Sequence, residues 1–422
     1  MFVAKFGGTS VKDGKTIKHV VDNIILQNRR RRVVVLSAPG KRSAHDVKVT
    51  DLLLEAGDAY LSSHSYPRQL VARVRERFTD ITDYFGIGSE LLDPAFTALE
   101  VAIRKSDGNR SAYMDGIAPI GEIINAQIFA AVLRQRNIGA GCYTPENIGI
   151  FTDGNFGNAK LRDYSYAKIA ESLMPLIEHS KEIIVVPGFY GVTENRRWTT
   201  FSRGGSDLTG AILANALDAS RYENWTDTDG IRRVDPKVVS DAGIIEKLTY
   251  REARELAYSG AQILHPDTLA PLADKRIPLN VRNTFNPGHT GTYVVVSRRR
   301  KDSIVEGIAY KEGFAIINVE KNGMNEQVGY LHRLLGIFAE MDVSIDQMTT
   351  SVDSVSLAIF TNGHKGGKIE QITGKITDES LADKVTVAYD RALVCVVGEG
   401  MRHAPGVMAT VAGALAKRGI SM

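Results

Sequence analysis

Short β-branched runs alternate with stretches of helical periodicity through the first two thirds of the chain. Strands are expected at 1–6, 32–38, 139–144, 181–186, 221–226 and 278–282, where valine, isoleucine and aromatic residues cluster. Apolar residues recur at helical spacing in 16–28, 50–61, 93–106, 121–136, 165–179, 207–217 and 250–259, which predicts helices there. Such alternation implies an α/β domain with a largely parallel central sheet flanked by helices. The segment 282–292, with Asn286-Pro287-Gly288 and Gly291, is rich in turn formers and marks a boundary.

Beyond that boundary the rhythm changes to α+β. Strands are expected at 314–319, 344–350 and 354–360, with extended chain at 385–389 and helices at 328–341 and 368–376. A second pass of the same grammar starts with a strand at 392–397, then a loop and a helix at 404–418. Gly323-Met324 precedes the first helix of one pass, and Gly400-Met401 the helix of the other. This is a weak internal repeat of a small βαββαβ unit. The second copy stops at Met422 where its next strand should begin, so an incomplete second domain is expected.

Composition narrows the class. The 422 residues are 43% hydrophobic and 24% charged, a globular balance with room for two or three domains. A net charge of +3 gives no reason to expect a nucleic-acid or membrane partner. The run Arg29-Arg30-Arg31-Arg32 reads as a solvated helix end. Cys142 and Cys395 stand far apart without CxxC spacing, which argues against a disulfide framework or a zinc site and fits a reducing compartment. The N-terminus lacks the regions of a signal peptide, and no apolar run looks long enough for a bilayer; a cytoplasmic protein is expected.

Three turns carry the chemistry. In Lys5-Phe6-Gly7-Gly8-Thr9-Ser10 a strand runs into two glycines before a helix, where backbone N–H groups can cradle an anion and Lys5 adds a point charge. Taken alone, this is also an ordinary tight turn. Phe201-Ser202-Arg203-Gly204-Gly205-Ser206-Asp207 leads into an apolar helix, and Ser206 or Asp207 would serve as its cap. Capping leaves Arg203 unexplained, and a guanidinium suits a carboxylate or phosphate. In Trp225-Thr226-Asp227-Thr228-Asp229-Gly230 a strand ends in a polar turn followed by Arg232 and Lys237, either an acidic turn or a nucleotide shelf. Weaker signals are Glu122 in the first turn of a helix, Ser37 at a strand end and Thr50 at a helix start. Helix dipole and caps account for all three; a ligand ammonium could also use Glu122. His265 before Pro266 looks structural, and no His/Asp/Glu cluster has metal-ligand spacing, so no protein-held metal is predicted.

These turns, in this order, resemble the aspartate kinases of the amino acid kinase superfamily. The likeness spans the chain: KFGGTS at 5–10, RGGSD at 203–207, WTD at 225–227, DPK at 235–237, LHP at 264–266 and NTFNPGHTGT at 283–292. The tail, with Gly323-Met324 and DQMTTS at 346–351, is similar to a pair of ACT regulatory domains. The resemblance implies a catalytic domain at 1–292, a first ferredoxin-like ACT domain at 303–380 and a second at 384–422, possible interleaving of the two left open. It implies ATP as cosubstrate, with Mg²⁺ carried on its phosphates, and L-aspartate as acceptor. Lys5, Gly7 and Gly8 would then hold phosphates, and Thr226, Asp227, Arg232 and Lys237 would surround the nucleotide. Thr50, Glu122, Phe189, Arg203, Gly205 and Ser206 would hold aspartate, with Ser37 facing an unassigned ligand. Lys5 and Asp207 would be the pair nearest the transferring group.

The same likeness implies feedback by lysine and/or threonine, with Met324, Gln327, Gly329, Tyr330, Ser344, Asp346 and Ser351 as effector candidates, and a homodimer or larger assembly through the ACT domains. Gln262 stands where many relatives carry a lysine, Arg232 where many carry a tyrosine, and Val352 where some lysine-sensitive members carry an acid. Two competing readings are a kinase for glutamate, a carbamate or a nucleotide, and a catalytically silent amino-acid sensor.

Overall fold

The computed structural model describes residues 1–106, 108–202, 204–261, 264–298, 304–361 and 367–421. Two compact units are present: Met1–Ala257 with Gln262–Gly307 and Gly398–Met422, and Tyr258–Ala261 with Ile308–Val397.

In the first unit the strands are β1 (Phe2–Phe6), β2 (Arg31–Leu36), β3 (Ala140–Cys142), β4 (Ile183–Pro187), β5 (Tyr190–Val192), β6 (Trp198–Thr200), β7 (Arg221–Thr226), β8 (Lys247–Thr249), β9 (Leu279–Asn283) and β10 (Thr292–Val295). The large sheet runs β3-β4-β2-β1-β7-β9-β10-β8, and β5 with β6 makes a separate ribbon. Its pairings are parallel except β9 with β10. Every residue of β1 and of β4 is buried, as expected of parallel strands covered on both faces. Phe6, Val34, Leu36, Leu53, Phe78, Phe129 and Trp225 belong to one continuous core. The chain leaves β1 for β2 on one side and later returns as β7 on the other. The carboxyl end of β1 is therefore a switch point, where open α/β sheets leave a crevice.

The second unit holds β11 (Gly307–Glu320), β12 (Gln347–Thr350), β13 (Ser354–Phe360) and β14 (Lys384–Val397) in the order β12-β13-β11-β14. Burial alternates along β13, so one face packs. Leu334, Ile337 and Phe338 of helix Tyr330–Glu340 and Ile369, Ile372 and Ile376 of helix Gly367–Asp378 cover that face with Ile317, Val355 and Leu357.

The mainly parallel sheet and the following α+β sheet are the architecture expected. All six early strands are present within one or two residues. Several expectations need correction. The helix expected at 16–28 is Gly14–Val20 followed by a wider turn, Val21–Ile25. Extended segments 385–389 and 392–397 are one strand, β14, because Asp390 at φ 56° kinks it without ending it. Helix Arg68–Phe85 was not anticipated, nor was Pro266–Asp274. The run Arg110–Gln135 is, by length and composition, apolar enough to cross a bilayer, contrary to the sequence reading; 78% of its apolar window is buried in the core.

Candidate active site

At the end of β1, Gly7 and Gly8 lead into a 3-10 turn, Gly8–Val11, and then into helix Gly14–Val20. Asp13 caps that helix through a reciprocal pair of bonds with Thr16. The Gly7 N–H donates to the Trp225 carbonyl of β7 at 3.2 Å, and the Gly40 N–H donates to the Gly8 carbonyl at 2.9 Å. A Cβ on Gly8 would stand 2.8 Å from the Ala38 carbonyl oxygen and 3.0 Å from the Gly40 nitrogen. Only glycine lets the two backbone segments meet this closely.

Helix Gly205–Ala216 starts beside this turn, after Gly204 in the left-handed region at φ 79°. Asp207 in its first turn meets Lys5 from β1, with Nζ to Oδ1 at 2.5 Å and both side chains mostly buried. Asn224 of β7 donates to the same Oδ1 at 3.0 Å. Phe189 adopts φ 81°, a costly conformation for a side chain of this size. It is held there because its N–H donates to Thr209 Oγ1 at 3.1 Å and its carbonyl accepts from the Phe201 N–H at 2.9 Å.

A cleft of about 600 Å³ opens between these elements, lined by Lys5, Gly8, Thr9, Ser37, Lys41, Lys48, Thr50, Asp51, Glu122, Phe189, Gly205, Ser206 and Asp207 among others. Glu122 is 4% exposed, and its Oε2 has no hydrogen-bond partner among the described residues. Burial pushes its carboxyl up to about 8, although backbone N–H bonds, that of Ala38 among them, favour the ionised form. The cleft thus combines a cation–carboxylate pair, a glycine turn and an unpaired buried acid. That set can bind anionic oxygens at one end and an ammonium group at the other.

Nine of the residues singled out from sequence share this cleft: Lys5, Gly8, Ser37, Thr50, Glu122, Phe189, Gly205, Ser206 and Asp207. Gly7 lies beneath it, where a Cβ would approach Lys5 Nζ to 3.3 Å. Thr226 and Asp227 sit at the end of β7, beside the strand that carries the glycine turn. Farther along, Asn283 and Asn286 donate to Asp229 Oδ1 and help hold its carboxyl below the usual range. Arg232 donates Nη1 to the Ala242 carbonyl at 3.0 Å, and Lys237 is exposed in the loop beyond; neither lines the cleft. Arg203 and Gln262 lie outside the described residues.

Sequence reasoning did not single out Thr9, Lys41, Lys48, Asp51 or Asn224. Asn224 stands among the polar residues of β7 (Arg221, Glu223 and Thr226), so nothing in the sequence marked it out.

Of the effector candidates, Met324 and Tyr330 are buried in the core of the second unit, and the Tyr330 hydroxyl donates to the Leu381 carbonyl at 2.6 Å. Gly329 at φ 77° precedes helix Tyr330–Glu340. Asp346 accepts the Phe360 N–H at 2.8 Å, while Gln327, Ser344 and Ser351 are exposed.

Residues 1–283 match the Amino acid kinase family. Aspartokinase 3 of Bacillus subtilis is 36% identical across 100% of this chain and 91% of its own length. The chain belongs to the aspartokinases. Among solved aspartokinases, that of Clostridium acetobutylicum, described as allosteric, aligns with a TM-score of 0.84 at 32% identity, over 99% of this chain and 91% of its own. Escherichia coli aspartokinase III in complex with aspartate and ADP gives 0.79 at 29% identity, over 98% and 91%. The same enzyme with lysine and aspartate gives 0.74. The family's α/β sheet and antiparallel tail are those of this aspartokinase.

Proposed function

We propose that this aspartokinase transfers the terminal phosphoryl group of ATP to the side-chain carboxylate of L-aspartate, yielding ADP and 4-phospho-L-aspartate. One observation supports it above the others: the buried Glu122 carboxyl group, its Oε2 without a partner among the described residues, lines the same cleft as the Lys5–Asp207 pair and the glycine turn. An amino-acid ammonium satisfies that acid, and the phosphoryl group meets the turn. A carboxylate nucleophile, with an ordinary pKa of about 3.9, is already ionised at neutral pH, so the reaction needs no general base. Catalysis is then positioning and charge neutralisation.

In this reading Lys5 and the Gly7-Gly8 turn take phosphate oxygens, the Gly7 N–H itself being committed to the Trp225 carbonyl, and Asp207 orients Lys5. Thr226 and Asp227 flank the nucleotide, with Arg232 and Lys237 farther along the same loop. Ser37, Thr50, Phe189, Arg203, Gly205 and Ser206 surround aspartate. Among the described residues no group of three or more His, Cys, Asp or Glu side chains could hold a metal, and the Asp207 carboxylate is already paired with Lys5. Mg²⁺ arriving on the phosphates would offset their charge there.

The reading extends to a cytoplasmic enzyme opening lysine, threonine and methionine synthesis. Lysine and/or threonine would act through ACT domains at 303–380 and 384–422, following a catalytic domain at 1–292, in a homodimer or larger assembly. The E. coli relative solved with lysine supports the effector class. ADP release with Mg-ATP and L-aspartate, against L-glutamate, tests the activity; lysine and threonine, singly and together, test the regulation. Turnover of glutamate in preference to aspartate would overturn the substrate, and no ADP with either would overturn the kinase.

A further inference from the structure

One loop wall of the cleft depends on a buried charge that the chemistry above does not use. Arg77 lies in helix Arg68–Phe85, its side chain 3% exposed, and it does not line the cleft. Its Nη1 donates to the Val47 carbonyl at 2.9 Å and pairs with Asp46 Oδ2 at 3.0 Å. Its Nη2 donates to the Gly40 carbonyl at 2.6 Å and to the Lys12 carbonyl at 3.4 Å. Gly40, Asp46 and Val47 belong to the 40–48 loop, whereas Lys12 follows the glycine turn. Asp46 Oδ2 also accepts the Arg42 N–H at 2.9 Å and Arg42 Nε at 3.1 Å, closing the loop on itself.

This guanidinium therefore ties two backbone segments together where they already touch. The Gly40 N–H donates to the Gly8 carbonyl, and a Cβ on Gly40 would stand 2.7 Å from the Gly8 carbonyl carbon. The loop so held contributes Lys41 and Lys48 to the cleft wall. Burying a guanidinium is costly, and such a group adds little net stability over an apolar one, so its fixed fork of donors is better explained by what it holds in place.

We infer that Arg77 is a positioning residue for phosphoryl transfer: it clamps the 40–48 loop against the glycine turn and so sets Lys41 and Lys48 at the anionic end of the cleft. The inference rests on the kinase reading above. A lysine at 77 has the charge and three donors, but on a single nitrogen, without the two separated nitrogens by which Arg77 reaches Gly40 on one side and Val47 with Asp46 on the other.

The test compares the full-length wild type with Arg77→Lys, with Phe78→Leu as a packing control from the same helix, and with the exposed double variant Lys41→Gln/Lys48→Gln. Each is assayed for kcat, KM for ATP and aspartate, melting temperature, and the rate of tryptic cleavage at Lys41, Arg42 and Lys48. Arg77→Lys is expected to raise the KM of ATP or aspartate at least tenfold and to speed cleavage in the loop several-fold. Phe78→Leu, at equal or greater loss of melting temperature, should leave both near wild type. The double variant should reproduce the KM rise with no change in melting temperature. Wild-type KM values and cleavage in Arg77→Lys, or the same changes in Phe78→Leu, overturn the inference. If Arg77→Lys does not fold, unchanged KM values in the double variant overturn it. Cleavage reads the clamp without turnover, so an inactive wild type with an Arg77-dependent loop would sink the kinase reading and leave the clamp standing.

Discussion

Lys5 Nζ lies 2.5 Å from Asp207 Oδ1, joining the central strand β1 to the first turn of helix Gly205–Ala216. Asn224 shares the same oxygen, so the carboxylate is aimed from two sides. In the proposed reaction, a lysine held this way would meet the transferring phosphoryl group without reorganising. Lys5→Met is expected to lower kcat by about 10²–10³-fold, the usual cost of one preorganised charge donor. Asp207→Ala should cost less, because Lys5 keeps its charge and loses only its aim. The double variant should fall well short of the product of the two losses. Steady-state kinetics at saturating ATP and aspartate decide it; multiplicative losses would mean the two residues act independently.

The glycine turn makes a steric prediction. The nearest neighbours of a Cβ at Gly8 are backbone atoms of Ala38 and Gly40, which cannot rotate away as a side chain would. Gly8→Ala must push the turn and the loop apart. Displacements near 1 Å cost about 10²-fold in enzymes that work by positioning. The expected result is a loss of that order in kcat/KM for ATP, with a stability loss of about 1–3 kcal/mol from overpacking. Near-normal ATP kinetics would show that the close approach is incidental.

The second unit separates residues that hold the fold from residues free to meet an effector. Asp346 accepts the Phe360 N–H through Oδ2 and the Tyr258 hydroxyl through Oδ1 at 2.9 Å. Asp346→Ala leaves the part-buried Phe360 N–H unserved, while the exposed Tyr258 hydroxyl turns to water, and should cost about 1 kcal/mol. Gln327→Ala and Ser344→Ala remove exposed groups and should stay within about 0.5 kcal/mol of wild type. If lysine or threonine binds near them, half-inhibition should shift to higher effector concentration in these two variants. Thermal melts paired with inhibition curves check both halves, and an Asp346→Ala protein as stable as wild type would contradict the first.

Local pattern made β2 and β4 legible as β-branched runs, whereas β1 and β7 show aromatic residues mixed with polar ones. The glycine turns could also be read, because two of them occur in one sheet domain, although each alone is an ordinary tight turn. Helix Arg68–Phe85 was not legible. Leu70, Val74, Phe78 and Ile81 do keep helical spacing, but charged and polar residues fill most positions between them and dilute the pattern. One of those charges, Arg77, is buried, and its partners are carbonyls of a loop distant in sequence. Asn224 fails for the same reason: its partner Asp207 belongs to another element. Lys41 and Lys48 carry no signal of their own in the sequence; the Gly8–Gly40 contact and the Arg77 bonds, both between segments distant along the chain, hold their loop beside the cleft.

Glu122 ties substrate binding to pH. Its carboxyl sits at about 8 in the folded protein, against 4.5 as the ordinary value, with burial the main cause. A raised acid pKa means the native state keeps a proton that the unfolded chain has lost. Its contribution to stability is therefore full below about 4.5 and is lost as pH rises through about 8. Glu122→Gln, neutral at every pH, should flatten the melting-temperature profile across that window and melt above wild type at its alkaline end. With aspartate bound as proposed, its ammonium group would favour the ionised acid and reverse the preference. Binding below pH 8 must then release a proton, and aspartate affinity should fall by up to tenfold per pH unit below that value. Calorimetry in buffers of different ionisation enthalpy counts the proton directly. Proton release should vanish in Glu122→Gln along with most of the aspartate affinity. A variant that still binds aspartate with wild-type affinity and proton release would remove Glu122 from the ammonium site.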